Sequence, residues 1–161
     1  MIIVVTGTPG TGKSSLAKAL AKSLKITYID VNKIIDANRL IEYYDKKRQT
    51  NVVDENKMSK ILVEMIKKDK NLVIDSHLAH YIPKKYVDYC VVTKCGLKML
   101  KKRLEKRGYH AEKVKENLEA EIFDICLTEA IEAKHNIILL DTTKTTLKEL
   151  VTFVKNEINK N

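Results

Sequence analysis

The sequence predicts an α/β fold with a parallel sheet covered by helices on both faces. Three observations carry this expectation. Five short apolar runs are continuous and mostly β-branched, as strands buried on both faces are. Longer segments of helical period lie between them, and the two kinds of segment alternate along the chain. With 161 residues, 44% hydrophobic and 32% charged, the chain suits one domain with one core.

The first strand is Ile2–Val5, and Lys13–Leu24 is the helix after it. A second strand, Ile26–Ile29, leads into a polar stretch from Asp30 to about Asp54, rich in Tyr, Lys and Arg. That stretch is expected to be an insertion over the sheet, not a crossover helix packed onto it. Glu55–Lys68 places Met58, Ile61, Leu62, Met65 and Ile66 on one helical face and leads to the strand Leu72–Asp75. The fourth strand is Val87–Thr93, followed by a helix at Leu97–Lys106. The polar segment Lys106–His110 then interrupts, with Gly108 permitting a sharp turn. A single long helix is expected over Glu112–Lys134, then the strand Ile137–Leu140. The closing helix, Leu147–Ile158, carries Leu147, Leu150, Val151, Val154 and Ile158 on one face.

Composition narrows the function classes. No apolar run approaches the roughly 20 residues that span a membrane, and Met1–Val5 is too short for a secretory h-region, so a cytoplasmic location is expected. Cys90, Cys95 and Cys126 are odd in number and lack C-x-x-C spacing, which argues against a zinc site or disulfide framework. The net charge of +9 suits anionic partners such as nucleotides, RNA or an acidic surface, but the lysines are scattered and also fit a solvated exterior.

Gly7-Thr8-Pro9-Gly10-Thr11-Gly12-Lys13-Ser14 fits G-x-x-x-x-G-K-[ST] at each fixed position. A buried strand enters it and an amphipathic helix leaves, the context that makes the pattern a phosphate-binding loop of a three-layer P-loop NTPase fold. Glycines let the backbone curl so that N–H groups converge on phosphate oxygens, and the helix N-terminus adds its dipole. Lys13 is expected on the β- and γ-phosphates of ATP, and the Ser14 hydroxyl on Mg2+. A second magnesium partner belongs at the end of a nearby buried strand, where Asp75 stands. His77, two residues on, is placed to orient water or bond the phosphates. His80, His110 and His135 carry no such argument. Developing charge on a moving phosphoryl group calls for further cations. Arg107, beside Gly108 at a helix end, is the candidate, and Arg103 one turn earlier shares its face.

With these residues placed, the chain resembles the adenylate kinase isoenzyme 6 family, small nuclear and archaeal adenylate kinases also described as ribosome assembly factors. The landmarks run the length of the chain: the loop at residues 7–15, Tyr28-Ile29-Asp30-Val31, Val53-Asp54-Glu55, Val73-Ile74-Asp75-Ser76-His77, Arg103-Leu104-Glu105-Lys106-Arg107-Gly108-Tyr109 and Glu121-Ile122-Phe123. The resemblance implies a nucleoside-monophosphate kinase core with a five-stranded parallel sheet. It also implies a monophosphate-binding insertion at about 30–53 and a short lid at about 106–116. ATP would contact Gly10, Thr11, Gly12, Lys13, Ser14, Ser15 and Arg107. Lys13, Asp75, His77 and Arg107 would be catalytic, with Mg2+ at Ser14 and Asp75. Asp30, Arg39 and Arg48 are the candidates for the monophosphate. The activity implied is γ-phosphoryl transfer from ATP to AMP, with ATP hydrolysis beside it. The partners implied are a platform protein of the small ribosomal subunit and, through the basic charge, rRNA. The loop Asp141–Lys144 after the last strand is a positional candidate for the adenine.

Departures keep alternatives open. Residues 112–125 contain no arginine, unlike the long-lid adenylate kinases, and 30–53 contains only Arg39 and Arg48. One alternative is a nucleotide-switched ribosome assembly ATPase with little kinase activity. Another is a different small-molecule kinase, such as a shikimate or dephospho-coenzyme A kinase. The lack of a glycine triplet after the third strand disfavours shikimate.

Overall fold

The computed structural model describes residues 1–48 and 50–160. Among the described residues, seven strands and seven α-helices follow in the order β1 (Ile2–Gly7), α1 (Lys13–Leu24), β2 (Thr27–Asp30), α2 (Val31–Ala37), β3 (Ile41–Asp45), β4 (Thr50–Val53), α3 (Glu55–Lys68), β5 (Leu72–Asp75), β6 (Tyr89–Lys94), α4 (Leu97–Lys106), α5 (Ala111–Ile122), α6 (Ile125–Glu132), β7 (Ile137–Asp141) and α7 (Leu147–Asn159). Five strands form a wholly parallel sheet in the order β2-β5-β1-β6-β7, and β3 and β4 form a separate antiparallel hairpin. The expected α/β fold with a five-stranded parallel sheet is therefore the observed one.

Both sheet faces are packed, which is why the strands read as unbroken apolar runs. On one face Ile3, Val5, Val73 and Val91 meet Leu16, Ala17 and Leu20 of α1 and Leu150 and Val154 of α7. On the other, Val4, Leu72, Ile74 and Val92 meet Val31 and Ile35 of α2, Met58, Leu62 and Ile66 of α3 and Ala130 of α6. Leu100 and Leu104 of α4 join Val114 of α5 in a smaller cluster beyond the sheet.

Three expectations need correction. The polar stretch after Asp30 opens with a true helix, α2. Its Val31 and Ile35 are buried in the core, because two apolar residues one turn apart suffice to dock seven residues. Only the hairpin beyond it behaves as an insertion. The long helix expected over Glu112–Lys134 breaks between α5 and α6, where Asp124 turns left-handed at φ +52° and pairs with Lys94. Aspartate tolerates that conformation, and without Gly or Pro the break leaves little trace in the sequence. Leu147, expected on the buried face of α7, stays 43% exposed.

Candidate active site

All five strands of the sheet are parallel, so their carboxyl ends share one edge, where ligands gather in open α/β folds. β1 lies at the centre of the sheet, and the phosphate-binding loop follows it. Gly7, at φ +138°, lies against β6, where a Cβ would stand 2.4 Å from the Thr93 carbonyl oxygen. Gly12, at φ +95°, is the N-cap of α1. Side chains of Asp30, Asp54, His110 and Thr146 cap α2, α3, α5 and α7. Among the described residues no side chain caps α1 and no acid occupies its first turn. Its leading amides are thereby left to an outside anion.

The loop is braced from below. Thr11 is fully buried; its Oγ1 donates to the Thr8 carbonyl at 2.8 Å and lies 2.7 Å from Thr93 Oγ1. The Thr11 side chain faces the interior, so any nucleotide contact of this residue would come from its backbone. Lys13 is half-buried, and its Nζ donates to the Thr8 carbonyl at 3.2 Å. Burial pulls its pKa down to about 8, partly offset by the Asp75 charge.

A cavity of about 230 Å³ opens over the loop, lined by Gly10, Gly12, Lys13, Ser14, Ser15, Asp75, His77 and Arg107, with Asn32, Tyr109 and others completing it. These expected residues come from three distant parts of the chain and meet in one cleft. Asp75 is 4% exposed and accepts a hydrogen bond from the Tyr28 hydroxyl at 2.9 Å, which orients one carboxylate oxygen. Burial, with the Asp75 charge behind it, raises the Tyr28 pKa, so the hydroxyl stays a donor. His77 sits exposed at the rim. Crowding by protein atoms and the facing Lys13 charge hold its pKa down to about 4, so the ring is neutral near pH 7.

The two arginines separate. Arg107, at the C-terminus of α4, lines the cavity. Arg103 is tied to protein: its guanidinium bonds the Gly10 carbonyl, Cys95 Sγ and both oxygens of Thr142. A second groove beside the loop is lined by Gly12, Ser15, Arg103, Arg107, Thr142, Thr145 and Leu147. It adjoins the loop after β7 that was the positional candidate for the adenine.

The three monophosphate candidates lie outside the cavity lining. Asp30 pairs in register with Asp75 at the sheet edge, and its side chain caps α2 through the Asn32 amide at 3.0 Å. Arg39 is exposed at φ +52°, and Arg48 reaches Asp45 at 3.9 Å and Glu116 of α5 at 3.6 Å. Sequence reasoning passed over Asn32 and gave Tyr109 and Glu121, landmarks of the resemblance, no role of their own, though Asn32 and Tyr109 line the cavity. Glu121 is 6% exposed, and its carboxylate accepts from Thr8 Oγ1 and the Cys95 amide. Its signal was present: Val114, Leu118 and Glu121 follow i, i+4, i+7, so a carboxylate occupies an apolar-face position. The histidines set aside do structural duty. His80 Nδ1 meets Thr6 Oγ1 at 2.9 Å, its Nε2 lies 2.8 Å from a Glu129 oxygen, and His135 Nε2 lies 2.8 Å from the His80 carbonyl oxygen.

A parallel three-layer sheet with this loop at its centre defines a P-loop protein of the nucleotide-kinase type. The AAA domain family profile matches residues 3–124. A Methanocaldococcus jannaschii protein named "Putative adenylate kinase" is 36% identical over 94% of this chain and 82% of its own length. The Dictyostelium discoideum adenylate kinase isoenzyme 6 homolog is 33% identical over 99% of this chain and 87% of its own. Saccharomyces cerevisiae adenylate kinase isoenzyme 6 homolog FAP7 is 35% identical over 94% and 77%. The chain belongs to the adenylate kinase isoenzyme 6 family. Among solved structures, shikimate kinase from Bacteroides thetaiotaomicron superposes with a TM-score of 0.64 at 15% identity, covering 99% of this chain and 98% of that one, a likeness of fold.

Proposed function

We propose that this chain is an adenylate kinase that moves the γ-phosphoryl group of ATP to AMP, with slow ATP hydrolysis beside it. The observation that carries the reading is the convergence of uncapped α1 amides, Lys13, Asp75, His77 and Arg107 on one cavity. In phosphoryl transfer the protein mainly positions reactants and neutralises charge. The α1 amides and Lys13 hold the β- and γ-phosphates. Arg107 supplies positive charge where the transferred group becomes more exposed. The neutral His77 ring offers a hydrogen bond at the cavity mouth, and Tyr28 keeps the Asp75 carboxylate aimed. The donor set suits Mg2+: a hydroxyl at Ser14 and a carboxylate at Asp75 line the same cavity. Among the described residues no cluster of three or more His, Cys, Asp or Glu forms a closed metal site. A small hard cation that takes one or two carboxylates and fills its shell with water and phosphate fits such a place. Bound there, it would neutralise charge on the phosphate oxygens.

The insertion at 30–53 would carry the monophosphate, with Asp30, Arg39 and Arg48 as candidates, and 106–116 would close over the phosphates. ADP formation from ATP is expected to rise strongly with AMP, less with CMP and not with shikimate. A folded Lys13→Ala protein is expected to lose about 10²-fold or more of that rate. Full activity in that variant would sink the assignment.

One observation favours a second reading, a nucleotide-switched assembly factor acting on small-subunit ribosomal protein and rRNA. Arg103 is committed to protein atoms and 112–125 holds no arginine, which leaves few cations for fast transfer. AMP-independent hydrolysis raised by ribosomal protein or RNA, with RNA affinity falling steeply in salt, is the outcome that selects it.

A further inference from the structure

Glu121 has no place in the chemistry above, yet its carboxylate is buried against the phosphate-binding loop. Burying a carboxylate is costly unless its oxygens are bonded. Here both are: Oε2 accepts from Thr8 Oγ1 at 2.5 Å and Oε1 from the Cys95 amide at 2.7 Å. The residue therefore joins three elements, α5, the end of β6 and the loop. What it grips is the loop's hub. The Thr8 carbonyl accepts from the Thr11 amide at 3.2 Å, from Thr11 Oγ1 at 2.8 Å and from Lys13 Nζ at 3.2 Å. Thr8 itself is 2% exposed and does not line the cavity, so its hydroxyl points to the rear of the loop. Nearby on the same α5–α6 corner, Cys126 lines a small cavity together with Gly7, Thr8 and Glu121. The corner thus lies behind the loop's first two residues and bonds the second, Thr8.

We infer that Glu121 is a positioning residue: through Thr8 it keeps the empty loop in its phosphate-binding shape and so sets nucleotide affinity. Without it the loop would spend part of its time in shapes whose amides do not converge, and affinity would fall by the fraction lost. The inference rests on the proposed nucleotide site, and the experiment separates the two.

The experiment compares wild type, Glu121→Gln, Glu121→Ala, Thr8→Val and the Glu121→Ala/Thr8→Val double variant. Mg-ATP affinity is measured by calorimetry, at a temperature where circular dichroism reports each protein folded. Hydrogen exchange of residues 7–16 is followed without nucleotide. Glutamine can accept from the Cys95 amide and donate to Thr8 Oγ1, so Glu121→Gln is expected to bind within roughly threefold of wild type. Glu121→Ala and Thr8→Val are expected each to weaken binding roughly tenfold or more, as losing a buried charge-assisted bond does. The double variant is expected to be little weaker than the worse single, because both changes cut one link. Loop exchange is expected to accelerate in Glu121→Ala, Thr8→Val and the double variant, and not in Glu121→Gln. Wild-type affinity and wild-type exchange in a folded Thr8→Val protein would overturn the inference, whether or not Glu121→Ala folds. If wild type binds no Mg-ATP, the nucleotide reading falls, and the exchange rates still decide the role of Glu121.

Discussion

In the proposed reading Lys13 is the residue on which nucleotide chemistry leans most, and its surroundings make its charge conditional. Burial holds its pKa at about 8 against an ordinary value of 10.5. In the unfolded chain the amine keeps its proton up to its ordinary value, so between about 8 and 10.5 the unfolded state binds more protons. The destabilisation from burying this ammonium is therefore complete below about 8 and relieved as pH rises through that window. Phosphate works the other way: a bound triphosphate favours the ammonium and raises its pKa again. Mg-ATP binding is then expected to take up a proton near pH 8 to 9, with affinity falling as pH rises further. Calorimetry at pH 8.5 in two buffers of different ionisation enthalpy reads this directly. Lys13→Met should lack the uptake, and an identical uptake in both proteins would show that another group titrates.

At the scale of elements, side chains cap α2, α3, α5 and α7, while among the described residues α1, α4 and α6 carry no side-chain cap. Asp54 caps α3 by accepting from the Lys57 amide at 2.9 Å. Asp54→Ala is expected to cost about 1 kcal/mol of stability, measured by urea unfolding, with Mg-ATP affinity unchanged. Leu62, fully buried on the same helix, should cost about 2–5 kcal/mol as Leu62→Ala. A cost below half a kcal/mol at Leu62 would mean that α3 is not packed as described. These faces were readable beforehand because α3, and most of α7, follow simple periodicity, whereas the caps were not read from the sequence. The loop was readable because its glycines, lysine and serine keep fixed spacing between a strand and a helix. The break at Asp124 was not, since an aspartate in a left-handed turn looks like any surface helix residue. Neither was the burial of α2, whose seven residues bury only Val31 and Ile35. The partition of Arg103 from Arg107 was equally hidden. One turn apart on a helix end, they differ only in that Thr142 and the Gly10 carbonyl, distant in sequence, lie within reach of the first.

For the molecule as a whole, the proposed nucleotide would act as a cross-link between the walls of the cavity. Those walls come from the loop after β1, the first turn of α2, the end of β5 and the turn after α4. Those elements otherwise meet through the sheet, an apolar cluster on each of its faces, a third cluster around α4, and the Arg103 bond to the Gly10 carbonyl. A triphosphate seated between them stabilises the native state by mass action, about 2.7 kcal/mol at a hundredfold excess over Kd. For a domain of this size each kcal/mol moves the melting temperature by roughly 2–4 °C, so Mg-ATP at that excess is expected to raise Tm by roughly 5–11 °C. The cross-link requires the phosphate contacts, and at the same absolute concentration Lys13→Ala should gain only a small part of the shift while melting near wild type without nucleotide. Differential scanning calorimetry with and without Mg-ATP measures both. An equal shift in the two proteins would place the nucleotide somewhere other than over α1, and the convergence of Asp75, His77 and Arg107 there would then need a different ligand.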